Sequence, residues 1–335
     1  MRIAIFGAGS VGCYIGGRLA AGGAQVTLIG RARLRDDLAT HGLHLSDYRG
    51  GEDHVRDIPF ALEPEAAAGA ALVLVCVKSQ HSAEAARSLK PHLAAGAQIV
   101  SLQNGVTNTA TLSEGLNRPV LMGMVGFNVA AQGDGRFHQG TQGDLHLERS
   151  PGMVPFLGAF QRAGLAIIQH SDMRPVLWAK LMLNLNNAIN ALANIPLRAE
   201  LAQRGFRLCL ALAQQELLQL TAGASLPRFA RLSPLPAAWI PPVLRLPDPA
   251  FRVVASSMLR IDPLARSSMS DDLASGRPPE VAWINGAVVR LAENQGRDAP
   301  VNRRLCALID EAAHATSRPT WTAAELLADL TTAAH

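Results

Sequence analysis

Six residues near the start of the chain, Gly7-Ala8-Gly9-Ser10-Val11-Gly12, follow directly on a short apolar run from Met1 to Phe6. They open a segment with helical spacing at Val11, Ile15 and Leu19, which Gly22-Gly23 ends before a second apolar run from Gln25 to Ile29. Strand, GxGxxG, helix and strand specify a βαβ unit. Gly7 permits the tight turn, Gly9 lets backbone approach a pyrophosphate, and Gly12 lets the helix pack closely, leaving the phosphates on the helix N-terminus. Gly7, Ala8, Gly9, Ser10, Val11 and Gly12 are therefore the candidate dinucleotide loop of an α/β Rossmann-type domain. A flexible glycine turn is the competing reading of the motif by itself.

The end of the second strand selects the dinucleotide. An NAD site places an acid on the ribose 2′-hydroxyl about 20 residues past the motif, but no acid precedes Asp36 here. The strand instead runs into Gly30-Arg31-Ala32-Arg33, and a guanidinium such as that of Arg31 forks a 2′-phosphate that an acid would repel. NADPH is the expected cofactor. The alternative is that Arg31 and Arg33 solvate a loop in an arginine-rich chain.

A chain of 335 residues, 48% of them hydrophobic, is too apolar for disorder and too long for one core, so two domains are expected. Four separated cysteines, with no CxxC pair, argue against a zinc knuckle or a disulfide framework, and fit a reducing cytoplasm. The net charge of +4 comes without a basic run, so no nucleic-acid partner is expected. No apolar stretch reaches membrane-spanning length, so no membrane partner is expected either. Only Lys78, Lys90 and Lys180 are lysines, against 28 arginines. Arginine does not donate protons near neutral pH, so lysines kept in this background are candidates for lysine chemistry.

Further strands are expected at Ala71 to Val77 and Gln98 to Leu102, with a helix from Ser82 to Leu93 between them. Lys78 and Asn104 then fall at carboxyl ends of parallel strands, the edge at which open α/β sheets bind ligands. Lys78 suits a phosphate or ribose, and Asn104 the nicotinamide end or a substrate oxygen; surface capping is the alternative for each. Val120 to Ala130 and Gly143 to Glu148 read as later strands, with Gly133, Gly135 and Gly140 as turns.

Near Ser171-Asp172 the pattern changes to long helical runs, placing a domain boundary between 1–171 and 172–335. Trp178 to Asn190 reads as one helix heavy with asparagines, which disfavour helix interiors. At 100° per residue Lys180, Asn184, Asn187 and Asn194 fall within roughly 40° of Lys180. An ammonium on such a stripe attracts a carboxylate and protonates a nascent alkoxide, while amides bind substrate without adding charge. A buried amide network or a solvated face would give the same pattern. A Pro-rich stretch from Leu226 to Pro249 reads as an ordered insertion or loop. Glu280 falls in the first turn of a helical run from Val281 to Asn294, where it either answers the helix dipole or faces the site.

In this order, the GxGxxG of Gly7 to Gly12, Val77-Lys78, Gln103-Asn104-Gly105, the WxKLxxN of Trp178 to Asn184, the SSM near Ser268, and Glu280 followed by Ile284-Asn285-Gly286 resemble the ketopantoate reductase family over nearly the whole chain. The resemblance implies a Rossmann domain joined to an all-α domain like the C-terminal domain of 6-phosphogluconate dehydrogenase, with the active site in the interdomain cleft. It also implies NADPH-dependent reduction of 2-dehydropantoate to (R)-pantoate for pantothenate and coenzyme A synthesis, with no metal. Carried over by position, Lys180 is the general acid and Glu280 the active-site glutamate, which also meets the cofactor. Asn184 and Ser268 hold substrate, Asn104 joins nicotinamide and substrate, and Lys78 and Arg31 hold the cofactor; Asn187, from the helical stripe, is a further candidate for substrate binding. The implied partner is a small-molecule 2-oxo acid; a homodimer is left open.

The chain departs from the family pattern at several positions. Ala188 stands where the family often has a second asparagine, so Asn187 or Asn190 must substitute if anything does. Pro279 and Ala282 replace the usual neighbours of the glutamate. Two Ser-Ser-Met triplets occur, at Ser256 and Ser267, and the second has the family's spacing to Glu280. A reductase of another 2-oxo acid, an opine-type dehydrogenase, and a non-catalytic NADPH sensor are the alternatives.

Overall fold

The computed structural model describes residues 1–222, 229–256, 262 and 265–334. The chain divides into two compact units, Met1–Met173 and Arg174–His335.

The first unit opens with β1 (Arg2–Phe6), α1 (Ser10–Ala21), β2 (Gln25–Ile29), α2 (Ala32–His41), β3 (Leu43–Asp47), β4 (Glu52–Val55) and β5 (Phe60–Ala61). It continues through β6 (Leu72–Val75), α3 (Ser82–Leu89), β7 (Gln98–Ser101), α4 (Asn108–Leu116) and β8 (Leu121–Val125). It closes with β9 (Val129–Gly133), β10 (Arg136–Gln139), β11 (Leu145–Glu148), α5 (Val154–Arg162) and β12 (Ile167–His170). Eight strands form the main sheet in the order β12-β11-β8-β7-β6-β1-β2-β5. Strands β5 through β8 and β1 and β2 pair in parallel, while β11 joins β8 antiparallel. This is a Rossmann-type sheet with a mixed edge. Because β1 lies between β2 and β6, the strand order reverses there and opens a crevice at the carboxyl ends.

Successive residues of β1 face opposite sides of the sheet, and both sides are covered. Ile3 and Ile5 join one apolar cluster with Ile15, Leu19 and Leu28, while Ala4 joins Val73, Val75, Ile99 and Leu112 in another. Helical cover on two faces makes these strands continuously apolar rather than alternating.

A second sheet, ordered β4-β3-β10-β9, packs on α1. A Cβ on Gly16 would meet Leu28 of the main sheet at 2.6 Å, and one on Gly17 would meet Leu43 of the second sheet at 2.6 Å. The Gly16-Gly17 pair thus lets one helix lie against both sheets. The expected strand from Val120 to Ala130 is two strands in different sheets. They separate at Gly126, whose amide donates to Asp144 O at 2.9 Å and whose Cβ position the same carbonyl would occupy. The helix expected to reach Leu93 ends at Leu89, and Pro91 lies in the 3₁₀ turn Lys90–His92 that follows.

The second unit contains α6 (Arg174–Asn184), α7 (Asn186–Ala193), α8 (Leu197–Leu201), α9 (Arg204–Thr221), α10 (Ile240–Leu244) and α11 (Asp248–Val254). After these come α12 (Ser268–Ala274), α13 (Asn285–Asn294), α14 (Pro300–His314) and α15 (Ala323–Ala333), with no strand among the described residues. α9 packs against α10, α14 and α15.

In the described part of the Pro-rich stretch, residues 229–236 form neither helix nor strand, and the 3₁₀ turn Ala237–Trp239, α10 and the start of α11 follow; residues 226–228 lie outside the described residues, as do Ser257 and Met258 of the first Ser-Ser-Met triplet. Arg207, fully buried, anchors the stretch: its guanidinium donates to Leu244 O, Leu246 O and Asp248 Oδ1 at 3.2, 2.9 and 2.8 Å. No helix among the described residues is long and apolar enough to cross a membrane.

Candidate active site

At the end of β1 the chain turns at Gly7, with φ of +100°. Its amide and that of Ala8 both donate to Ile29 O, at 3.0 and 2.9 Å, pinning the loop to the end of β2. Gly12 packs closely on that turn, since a Cβ there would lie 2.4 Å from Gly7 O. Gly9 differs: a Cβ on it would meet nothing within 4 Å. The N-terminus of α1 has no side-chain cap and no acid in its first turn. Open space before an uncapped helix N-terminus fits a pyrophosphate, because orphan amides and the helix dipole both favour an anion there.

Arg31 follows β2 as the residue before α2, and it and Arg33 are exposed. Neither guanidinium has a hydrogen-bond or ion-pair partner among the described residues. Asp36, the first acid after the strand, is paired instead with Arg35 at 2.7 Å. Two exposed guanidiniums at the end of β2 could hold a phosphate group. Lys78 and Asn104, both half-buried, sit on the loops after β6 and β7, at the same sheet edge as the glycine loop.

In the second unit Lys180 and Asn184 stand one turn apart on α6 and share a face, both half-buried. The Lys180 ammonium has no hydrogen-bond or ion-pair partner among the described residues. Burial lowers its pKa from 10.5 to about 8. Desolvation disfavours the cation while leaving it protonated at neutral pH.

The helix expected to run unbroken from Trp178 to Asn190 is interrupted at Leu185. Gln214 Nε2 of α9 donates to Met182 O at 3.1 Å, engaging the carbonyl that would accept from the amide four residues on. Asn187 lies beyond this break, half-buried on α7. Asn194 leaves the stripe altogether. It caps α7 in a left-handed conformation, φ +54°, and its side-chain oxygen accepts from Arg266 Nη1 at 2.9 Å.

Asn190 cannot stand in for the missing asparagine at Ala188, because it is fully buried with its amide engaged. Nδ2 donates to Ile195 O at 2.9 Å and Glu200 Oε2 at 2.7 Å, and Oδ1 accepts from Ser267 N at 2.8 Å. Ser267 Oγ in turn donates to Asn187 O at 3.1 Å and caps α12. Ser267 is thus buried as a cap, while Ser268, the first residue of α12, is exposed. Neither this cap nor Glu200 was legible in the sequence. Glu200 lies in an otherwise ordinary helical segment, and burial pushes its pKa up to about 8.

Glu280 is not in the first turn of an α-helix. It precedes a 3₁₀ turn, Val281–Trp283, and the chain breaks again at Ile284 before α13. Its helix-dipole reading therefore weakens, since a three-residue turn has little dipole.

The family model described as ketopantoate reductase PanE/ApbA matches residues 3–152, and its C-terminal counterpart matches 172–313. A 2-dehydropantoate 2-reductase of Halobacterium salinarum is 30% identical over 329 residues, covering 92% of this chain and 98% of the relative. Among solved structures, a PanE/ApbA family ketopantoate reductase from Ralstonia eutropha JMP134 is 32% identical with a TM-score of 0.77, covering 93% of this chain and 98% of that one. A D-mandelate dehydrogenase solved with NADH and anilino(oxo)acetate, 19% identical with a TM-score of 0.76 over 99% of this chain and 100% of its own, shares the fold. With both units matched in order, the chain belongs to the ketopantoate reductase family of oxidoreductases.

Proposed function

We propose that the chain is an NADPH-dependent 2-dehydropantoate 2-reductase that forms (R)-pantoate for pantothenate and coenzyme A synthesis, with Lys180 as proton donor. The observation that carries this reading is the Lys180 ammonium, half-buried and without a partner among the described residues, one helical turn from Asn184. A cation kept unpaired and partly desolvated is costly unless a ligand completes it.

The residues of the first unit fit NADPH: the glycine loop and the α1 N-terminus would hold the pyrophosphate, Arg31 the 2′-phosphate, and Lys78 and Asn104 the ribose and nicotinamide side. When bound, reduced nicotinamide supplies the hydride that the ketone carbon accepts. As charge grows on the carbonyl oxygen, Lys180 Nζ donates a proton to it, leaving a neutral amine that water reprotonates. The acid of a 2-oxo acid is negative, and the same ammonium attracts it before the reaction. Asn184, Asn187 and Ser268 hold the substrate by hydrogen bonds that add no net charge, and Glu280 orients Lys180 or the cofactor. A pKa near 8 makes Lys180 a readier proton donor than an ordinary lysine.

A related reductase of another 2-oxo acid is the second reading. It is favoured by Ala188, fully buried where the family often has an amide, together with the full engagement of Asn190. A panel of 2-oxo acids at equal NADPH separates the two. The highest kcat/KM on 2-dehydropantoate supports the first reading, a better acid supports the second, and turnover of none contradicts both.

A further inference from the structure

The backbone ladder between β6 and β7 ends at Leu102 N to Val75 O, 2.9 Å, after which the two loops that bear Lys78 and Asn104 leave the sheet. Side chains take over at that point. Ser79, Ser82, Ser101, Gln103 and Asn108 are all at least nine-tenths buried. Ser101 Oγ donates to Gln103 Oε1 at 3.0 Å, which fixes the amide so that Gln103 Nε2 faces Val77 O at 3.0 Å and Ser82 Oγ at 2.8 Å. The Ser82 hydroxyl lies 2.8 Å from both Asn108 Oδ1 and Ser79 O. Asn108 Nδ2 then donates to Ser79 Oγ at 3.0 Å and to Asn104 O, and Ser79 Oγ donates to Asn104 O at 3.1 Å.

Both amide N–H pairs are used, and the side chains reach three backbone carbonyls, Val77 O beside Lys78, Ser79 O, and Asn104 O itself. Gly105 follows with φ of +92°, so the chain turns sharply just past the carbonyl that these donors engage. A fully satisfied buried network is rigid, whereas one missing donor leaves several groups unmatched.

We propose that Asn108, with Gln103, Ser79 and Ser82 behind it, is a positioning residue that holds the Asn104 and Lys78 loops as one shelf for the nicotinamide end of the cofactor. The inference rests on the reading of this sheet edge as an NADPH site. It touches neither substrate nor cofactor through Asn108, which acts through the Asn104 backbone.

Asn108→Asp tests it, because the variant keeps size and the acceptor that Ser82 uses but removes both N–H donors. Binding is measured for NADPH and for 2′,5′-ADP, which lacks the nicotinamide, its ribose and the phosphate that carries them. The expected result is NADPH binding weakened about tenfold or more, with 2′,5′-ADP changed by less than about twofold. Equal weakening of both ligands, or of neither, would overturn the proposal, since a merely structural role does not separate the two halves of the cofactor. Should Asn108→Asp fail to fold, Ser79→Ala removes a single donor to Asn104 O, and a shift of about threefold in the same ratio is expected; an unchanged ratio overturns it. The ratio needs no oxo acid, so a protein that binds NADPH but reduces no 2-oxo acid would sink the proposed reaction and leave this test in force.

Discussion

Gly7 and Val77 are in such close contact that a Cβ on Gly7 would lie 2.4 Å from the Val77 backbone nitrogen. The glycine loop and the start of the Lys78 loop are thereby held against each other. Gly7→Ala must push backbone aside and also adopt φ of +100°, so a loss of roughly 2–4 kcal/mol in stability is expected from chemical denaturation. Gly9→Val separates folding from binding. Its Cβ meets open space, so the melting temperature should stay within about 3 °C of wild type, while NADPH binding measured by fluorescence weakens more than about tenfold.

Arg31→Ala should raise the KM for NADPH by roughly 10- to 100-fold and leave that for NADH nearly unchanged, because only the 2′-phosphate makes a charge-assisted contact with a guanidinium there. Steady-state kinetics with both cofactors check this. Equal effects on the two would mean that Arg31 serves the loop rather than the phosphate.

Glu200 gives a pH signature in stability. Its carboxyl is held neutral up to about 8 in the folded protein, against 4.5 in ordinary surroundings. The folded state thus binds more protons than the unfolded state between those values, and stability falls as pH rises from about 4.5 to about 8. Glu200→Gln removes that dependence while keeping an acceptor for the Asn190 amide. The variant should gain melting temperature relative to wild type at pH 8.5, and gain less at pH 5, in thermal scans at the two values.

What was legible in the sequence was local. The turn at Gly7, the close packing at Gly12 and the sheet's parallel core follow from spacings of a few residues, and they appear where the pattern places them. The second sheet was not legible, because β3 pairs with β10 some 90 residues away and each strand is too short to show a pattern alone. The break at Leu185 escaped for a similar reason, since Gln214, which donates to Met182 O there, lies on another helix. Asn108 did leave a signal: it occupies the apolar phase of α4, in register with buried Leu112 and Leu116. A polar side chain on that stripe must find buried partners.

Proton donation by Lys180 in NADPH-dependent ketone reduction is read directly from kcat for NADPH oxidation with 2-dehydropantoate, for wild type and Lys180→Ala across pH 6 to 9.5. With its pKa near 8, Lys180 is protonated at low pH, so wild-type kcat should fall as pH rises through about 8. Lys180→Ala should lose about 100-fold or more at pH 7 and show no such fall, with NADPH binding retained. A variant with wild-type kcat, or one whose activity keeps the same alkaline limb, would contradict the account.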